Sequence, residues 1–250
     1  MIETYITTRG LVHREAKYKE SSKMLTVLTE TEGKLSVAAR GAMRRGSKTA
    51  PAAQLLAYSE LTLSEGKDVW TLTEARPLEL FLGLRDDLSS LALASYFAEL
   101  LEMVSDEDFP DPELLSLGLN ALYALSTKRY PPEQVKAAFE FRLMRCAGFS
   151  PIADTCPACG KVPDDPVLCP AEGAVFCAAC TPAGSEELPL SAGAYEALRY
   201  ILNATPKKAF SFRLEPEALR SLSQSAERYL IVQTDREPAT LRFYRQVKNM

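Results

Sequence analysis

The chain has 250 residues, 46% hydrophobic and 25% charged, with a formal net charge of −4. That length suits one large domain or two to three small ones, and the composition is that of a globular protein. There is no apolar run of membrane-spanning length, and the opening MIETYITTRGLVHREAKYKE lacks a signal-peptide core, so a membrane partner is excluded and the cytoplasm is the expected location.

Residues 1–80 carry strand patterning. In GKLSVAAR, Leu35, Val37 and Ala39 alternate with Ser36 and Ala38. Leu61 and Leu63 alternate before a turn at Glu65-Gly66-Lys67, and Trp70 and Leu72 alternate after it. Alternation marks half-buried strands, and a glycine-bearing connection marks a hairpin. A second hairpin is expected where MLTVLTE meets KLSVAAR at Glu32-Gly33. With the VHREAKY region, about five strands fit a small closed barrel that leaves no free edge.

From about residue 78 the period becomes helical. LRDDLSSLALASYFAELLEMVS is expected as a helix with Leu84, Leu88, Leu91 and Ser95 along one side and Asp86 and Asp87 in its first turn. The run SDEDFPDPE reads as a solvated connector rather than a carboxylate metal site, and Asp111-Pro112-Glu113 starts a second helix. Pro131-Pro132-Glu133 opens a third, ended by Gly148, with Cys146 as a core residue beside Met144. Ser191 caps a fourth helix carrying Tyr195, Leu198, Ile201 and Leu202, and EPEALRSLSQSAERYLIVQT forms another.

Cysteines fall between the third and fourth helices. Cys156-x-x-Cys159 and Cys177-x-x-Cys180 are separated by 17 residues, a spacing typical of a four-thiolate zinc site. Two residues between cysteines let one tight turn aim both sulfurs at one ion about 2.3 Å away. The competing readings are a metal-free pair of turns and a redox CxxC. Four thiolates close a tetrahedron and leave no position for a reacting water, so one structural Zn2+ is expected. Cys169 has no partner at this spacing and reads as a packed thiol. The segment holds one lysine and three acids between its outer cysteines, so it is not a DNA finger.

No phosphate-binding glycine motif and no nucleophile elbow occur, and His13 is the sole histidine, so the chain does not read as an enzyme. The functional candidate is AARGAMRRGSKTAP. Lys34, Arg40, Arg44, Arg45 and Lys48 have no acid among them, and Gly41 and Gly46 let a flexible loop approach a backbone closely. Guanidinium forks match phosphate oxygens, although a solvated basic loop remains an open alternative. Arg14, Lys17, Lys19 and Lys23 extend the patch, and Tyr18 offers either a stacking face or a core side chain. Around the third helix, Lys128, Arg129, Lys136, Arg142 and Arg145 make a second basic cluster.

The stretches GLVHREAKYKESSKMLTVLTETEGKLSVAARGAMRR and EFRLMRCAGFSPIADTCPACG, with the GAVFCAAC close, resemble the RecO family of bacterial recombinational-repair proteins across nearly the whole chain. The resemblance implies a multi-domain α+β protein: an oligonucleotide-binding (OB-fold) barrel at 1–80, a helical domain at 81–151, a zinc module at 152–184 inserted between helices, and helices at 185–250 that complete the helical domain. It implies zinc ligation by Cys156, Cys159, Cys177 and Cys180, and DNA contacts at Arg40, Arg44 and Arg45. It implies binding of single- and double-stranded DNA, strand annealing, and partnership with RecR. RecF, RecA and single-stranded-DNA-binding protein (SSB) would then be further partners, with the second basic cluster as a site for DNA or for the acidic SSB tail, in the nucleoid. The alternative is a zinc-stapled scaffold that binds RecR or SSB while its partner holds the DNA.

Overall fold

The computed structural model describes residues 4–107 and 109–248. Five strands, β1 (Tyr5–Tyr18), β2 (Ser22–Thr29), β3 (Lys34–Ala39), β4 (Tyr58–Ser64) and β5 (Trp70–Glu79), close into a barrel in the order β1-β2-β3-β5-β4. Only β3 and β5 pair parallel, and the result is a five-stranded Greek-key barrel of OB architecture. Val12, Leu25, Val27, Leu35, Val37, Leu61, Leu63 and Leu72 fill it. Both expected hairpins are present, with Val27 opposite Leu35 across Gly33 (φ +71) and Leu63 opposite Leu72.

β1 is long because it serves two neighbours. Tyr5–Leu11 pairs with β4 and Gly10–Tyr18 with β2. Gly10 stands where the two ladders meet, and a Cβ there would lie 2.5 Å from Val27 Cγ1. The register shifts between Val12 and Arg14, which places His13 in a bulge.

The β3–β4 connection is a chain of turns that the barrel holds down, not the flexible loop expected. Ala42, Ala52, Ala53, Leu56 and Ala57 are buried. Leu56 N donates to Val12 O at 2.7 Å, and the Glu15 carboxylate takes the Leu55 amide at 3.0 Å.

The first helix also differs from expectation. A 3-10 turn (Leu82–Asp86) precedes α1 (Leu88–Val104), and Asp87, in extended backbone, accepts from the amides of Ser89 and Ser90. A short acid that captures the first amides starts a helix at its own position, so Leu88 is 57% exposed instead of lying on the apolar face. In α2 (Pro112–Ser126), Asp111 Oδ1 accepts from Leu114 N at 2.9 Å, as read. The connector before it is partly engaged, since Lys34 N donates to Asp106 O at 3.0 Å.

α3 (Pro132–Cys146), α4 (Ala192–Asn203) and α5 (Pro216–Thr234) begin at the expected prolines and at Ser191. Cys146 is half-buried rather than a core residue. Between α3 and α4 lies a small sheet of β6 (Pro166–Cys169), β7 (Ala174–Cys177) and β8 (Leu188–Pro189) in the order β7-β6-β8. A last helix, α6 (Ala239–Lys248), buries Leu241 and Tyr244.

Contacts divide the chain into two compact units. One comprises the barrel, α1, α2 and the chain from Thr240; the other spans Thr127–Ala239. No helix among the described residues is long and apolar enough to cross a membrane.

Candidate functional site

The cysteine pairs meet in the second unit. The backbone turns back at the first pair, with Gly160 N donating to Cys156 O at 2.8 Å and Cys156 N to Lys161 O at 2.7 Å. Gly160 takes φ +71, a conformation open to glycine. The second pair closes β7 and a short 3-10 turn (Ala178–Cys180). All four sulfurs lie within 4.8 Å of one another. Cys159 Sγ and Cys177 Sγ are 3.8 Å apart, and a tetrahedron with bonds of about 2.3 Å has edges of about 3.8 Å.

Their electrostatics call for a cation. Burial pushes the Cys156 thiol up, but the backbone amides of Cys177, Cys159 and Ala158 outweigh it and hold it at about 6. Cys180 goes the other way, to about 12, through desolvation and the neighbouring Cys159 and Cys156 sulfurs. Sulfurs this close cannot all shed protons unless positive charge sits between them. Asp164 N also donates to Cys177 Sγ at 3.4 Å, an outer contact that favours a thiolate. The four side chains therefore fit a tetrahedral metal ion with a closed coordination sphere. Among the described residues no other such cluster occurs. Cys169 stays outside the set, buried on β6 with its thiol pushed up to about 11 by burial and then by Glu172 and Glu187.

On the barrel, Arg40, Arg44, Arg45 and Lys48 are all exposed. The turn that carries them is tied to the β1–β2 turn: Met43 N donates to Ser21 O at 3.0 Å, Gly41 N to Ser22 Oγ at 3.2 Å, and Arg44 Nε to Ser21 Oγ at 3.3 Å. This ties the loop to the tip of the β1–β2 hairpin, which carries Tyr18 and Lys19. Among the described residues none of Lys17, Lys19, Arg40, Arg44, Arg45 and Lys48 forms an ion pair. Other expected cations are spoken for. Arg14 pairs with Glu102 at 2.7 Å and Lys23 with Glu15 at 2.7 Å. Lys34 Nζ donates to Ser105 O at 2.6 Å, where its charge complements the C-terminus of α1, so it stands apart from the loop group.

The second basic cluster does not form one patch. Lys128, Arg129 and Arg145 are exposed, but Lys136 and Arg142 are 3% exposed. Lys136 pairs with Glu140 and Glu227, each at 2.8 Å, and Arg142 Nη1 and Arg145 Nη1 donate to Leu202 O at 2.7 and 2.8 Å. Lys136 is the fifth residue of α3 and Arg142 the eleventh, and sequence alone could not tell that these turns of α3 face the core.

A pocket of about 1030 Å³ opens elsewhere in the same unit, and sequence reasoning missed it. The first residues of α3, α4 and α5 line it together with Arg129, Arg213, Tyr130, Phe212 and Leu214. Gln134 holds one wall by donating to Phe210 O and Phe212 O at 2.6 and 2.7 Å. Two guanidinium groups and the starts of three helices, offset by the Glu215 carboxylate, stand here beside aromatic walls, an arrangement that can take an anion. The caps were visible in sequence, but their convergence is a tertiary property.

Comparison with known proteins places both parts of the chain in one family. Residues 1–81 match the family model for the recombination protein O N terminal, and residues 85–242 match that for its C terminal. A DNA repair protein RecO from Acetivibrio thermocellus is 33% identical over 90% of both chains. Those of Symbiobacterium thermophilum and Anaeromyxobacter dehalogenans are 31% identical over 91% of both chains and 34% over 95% of both. With both family models covering consecutive parts of a barrel-plus-helices chain with clustered cysteines, the protein belongs to the RecO family of DNA repair proteins.

Proposed function

We propose that this protein binds single- and double-stranded DNA through the barrel and anneals complementary strands. With RecR, and with RecF in some pathways, it would then help load RecA onto SSB-coated strands in the nucleoid. The observation that carries this reading is the exposed cations Arg40, Arg44, Arg45, Lys48, Lys17 and Lys19 of the barrel, none of which forms an ion pair among the described residues. Annealing makes and breaks no covalent bond. It needs phosphates on two strands neutralised and base edges left free, so no catalytic group is called for. The four cysteines would hold one structural Zn2+, which braces the second unit and takes no part in DNA contact.

A salt titration of labelled single-stranded DNA tests the reading. If about four phosphates are contacted, log affinity falls with log salt at a slope near −3, about 50-fold between roughly 50 and 200 mM. Arg44→Ala combined with Arg45→Ala should flatten that slope by about one or more and weaken unrelated sequences alike. An unchanged slope removes this loop from the contact set.

The pocket of the second unit supports a further partner contact, with the acidic tail of SSB held by Arg129, Arg213 and the helix ends. Arg129→Ala with Arg213→Ala should then weaken a tail peptide and leave the DNA salt slope alone. The scaffold alternative predicts negligible DNA binding by the purified chain at low salt, together with a stable complex with RecR.

A further inference from the structure

We infer that Tyr18 is a base-stacking residue that makes the barrel surface prefer unpaired DNA over duplex. This rests on the DNA-binding reading above and names the part of the ligand that the surface recognises.

Directly opposed residues in an antiparallel pair project to the same face. Tyr18 opposes Ser22 in the last pair of the β1–β2 hairpin, and Ser22 Oγ accepts from Gly41 N at 3.2 Å. Tyr18 therefore lies on the face of the hairpin that carries the arginine turn. The residue is 38% exposed at the tip of the hairpin. Lys19, in the left-handed region at φ +55, puts its ammonium 5.1 Å from the ring centroid. The π-face thus already attracts a cation, and that cation is one a phosphate can draw away.

Beside the ring, Ala16 opposes Met24, Met24 opposes Ala38, and Ala38 opposes Thr71, so one row of short or flexible side chains forms a floor across β1, β2, β3 and β5, exposed at Ala16 and closed over at Ala38, which is 4% exposed. Residues two apart share a face of a strand, so Tyr18 rises at the side of this floor next to Ala16. Arg14 stands at the other side and is pinned to Glu102 of α1. A strand laid along the floor has phosphates within reach of the arginine turn and a base within reach of the ring.

The chemistry separates single from double strands. Stacking engages the face of a base and leaves its pairing edge open to an incoming strand. In a duplex the same face is already stacked on its neighbours. Tyr18 then contributes to the open strand, contributes nothing to the product, and favours release once pairing is complete.

The test uses the full-length, metal-loaded chain with labelled oligothymidylate and a duplex of equal length. Tyr18→Ala should weaken single-strand binding about tenfold and duplex binding less than twofold. Tyr18→Phe should retain the preference. The salt slope should stay at its original value in both variants, since no charge is removed. Equal loss on both ligands, no loss on either, or a phenylalanine variant that behaves like alanine would overturn the inference. The Arg44→Ala with Arg45→Ala variant separates the two proposals. If it flattens the slope while Tyr18→Ala does nothing, stacking alone fails; if no variant binds differently from the original protein, both fail.

Discussion

His13 shows how a single side chain can set pH behaviour. It is 3% exposed in the β1 bulge, and neither ring nitrogen has a hydrogen-bond partner among the described residues. Burial lowers it from 6.5 to about 4; Glu102 on α1 opposes this, and Lys34 on β3 and Arg14 beside it add to it. A base whose folded value is depressed stabilises the fold above its unfolded value and loses that contribution as pH falls towards the folded one. The protein should therefore lose about 2 kcal/mol between pH 7 and pH 5, from a full contribution of roughly 3 kcal/mol. Denaturant unfolding of metal-loaded protein should show this decline, and His13→Leu should flatten it; an equally steep decline in the variant would place the titration elsewhere. Lys136 makes a parallel case. Its side chain is 4% exposed and sits between Glu140 and Glu227. Lys136→Met leaves buried carboxylate charge uncompensated and should cost about 3–5 kcal/mol while leaving the DNA salt slope unchanged. Sequence marked Lys136 as basic, but burial depends on what packs against the helix.

Local signals held well at the scale of elements. The Gly33 turn, the Asp111 and Ser191 caps and the paired prolines act within one or two turns of chain, so a sequence window contains them. The start of α1 was misplaced for a related reason: Asp86 and Asp87 look alike in a first turn, and only the backbone decides which acid captures the amides. Barrel closure was less visible. β3 and β5 share just two paired positions, Val37 with Trp70 and Ala38 with Thr71, across more than thirty residues of chain. Gly10 is the element-level consequence, because it lets β1 pass between β4 and β2. Gly10→Ala should cost about 1–3 kcal/mol through the clash with Val27, measurable as a lowered denaturation midpoint. A neutral substitution would mean that the two ladders part easily at that point. At the cysteines the spacing was enough to name the four that cluster, since each pair is a local turn. The stacking position of Tyr18 needed the strand register as well.

At the scale of the molecule, charge and stability lie in different places. The net charge is −4, yet Lys17, Lys19, Arg40, Arg44, Arg45 and Lys48, none in an ion pair among the described residues, belong to the barrel of the first unit. The cysteine cluster belongs to the second, where Cys156, Cys169 and Cys177 themselves help make a small core with Val167, Ala174 and Phe176. Too little apolar surface is buried there for such a module to stand alone, so metal binding and local folding should be one process. Within the same unit Tyr195 Oη donates to Ala153 O at 2.7 Å, Gln233 Nε2 donates to Pro170 O at 2.6 Å, and Arg228 pairs with Glu186 at 2.7 Å. These contacts would carry loosening of the module to α4 and α5. Stripping the metal, or Cys156→Ser, should lower metal content and melting temperature together. Segment-resolved hydrogen exchange should then rise at β6, β7 and the contacting turns of α4 and α5, with β1–β5 still protected. The DNA salt slope of stripped protein should match that of loaded protein if, as proposed, the phosphate contacts are on the barrel. A slope flattened as much as in the Arg44→Ala with Arg45→Ala variant would move those contacts to the cysteine module and overturn the assignment of binding to one unit and bracing to the other.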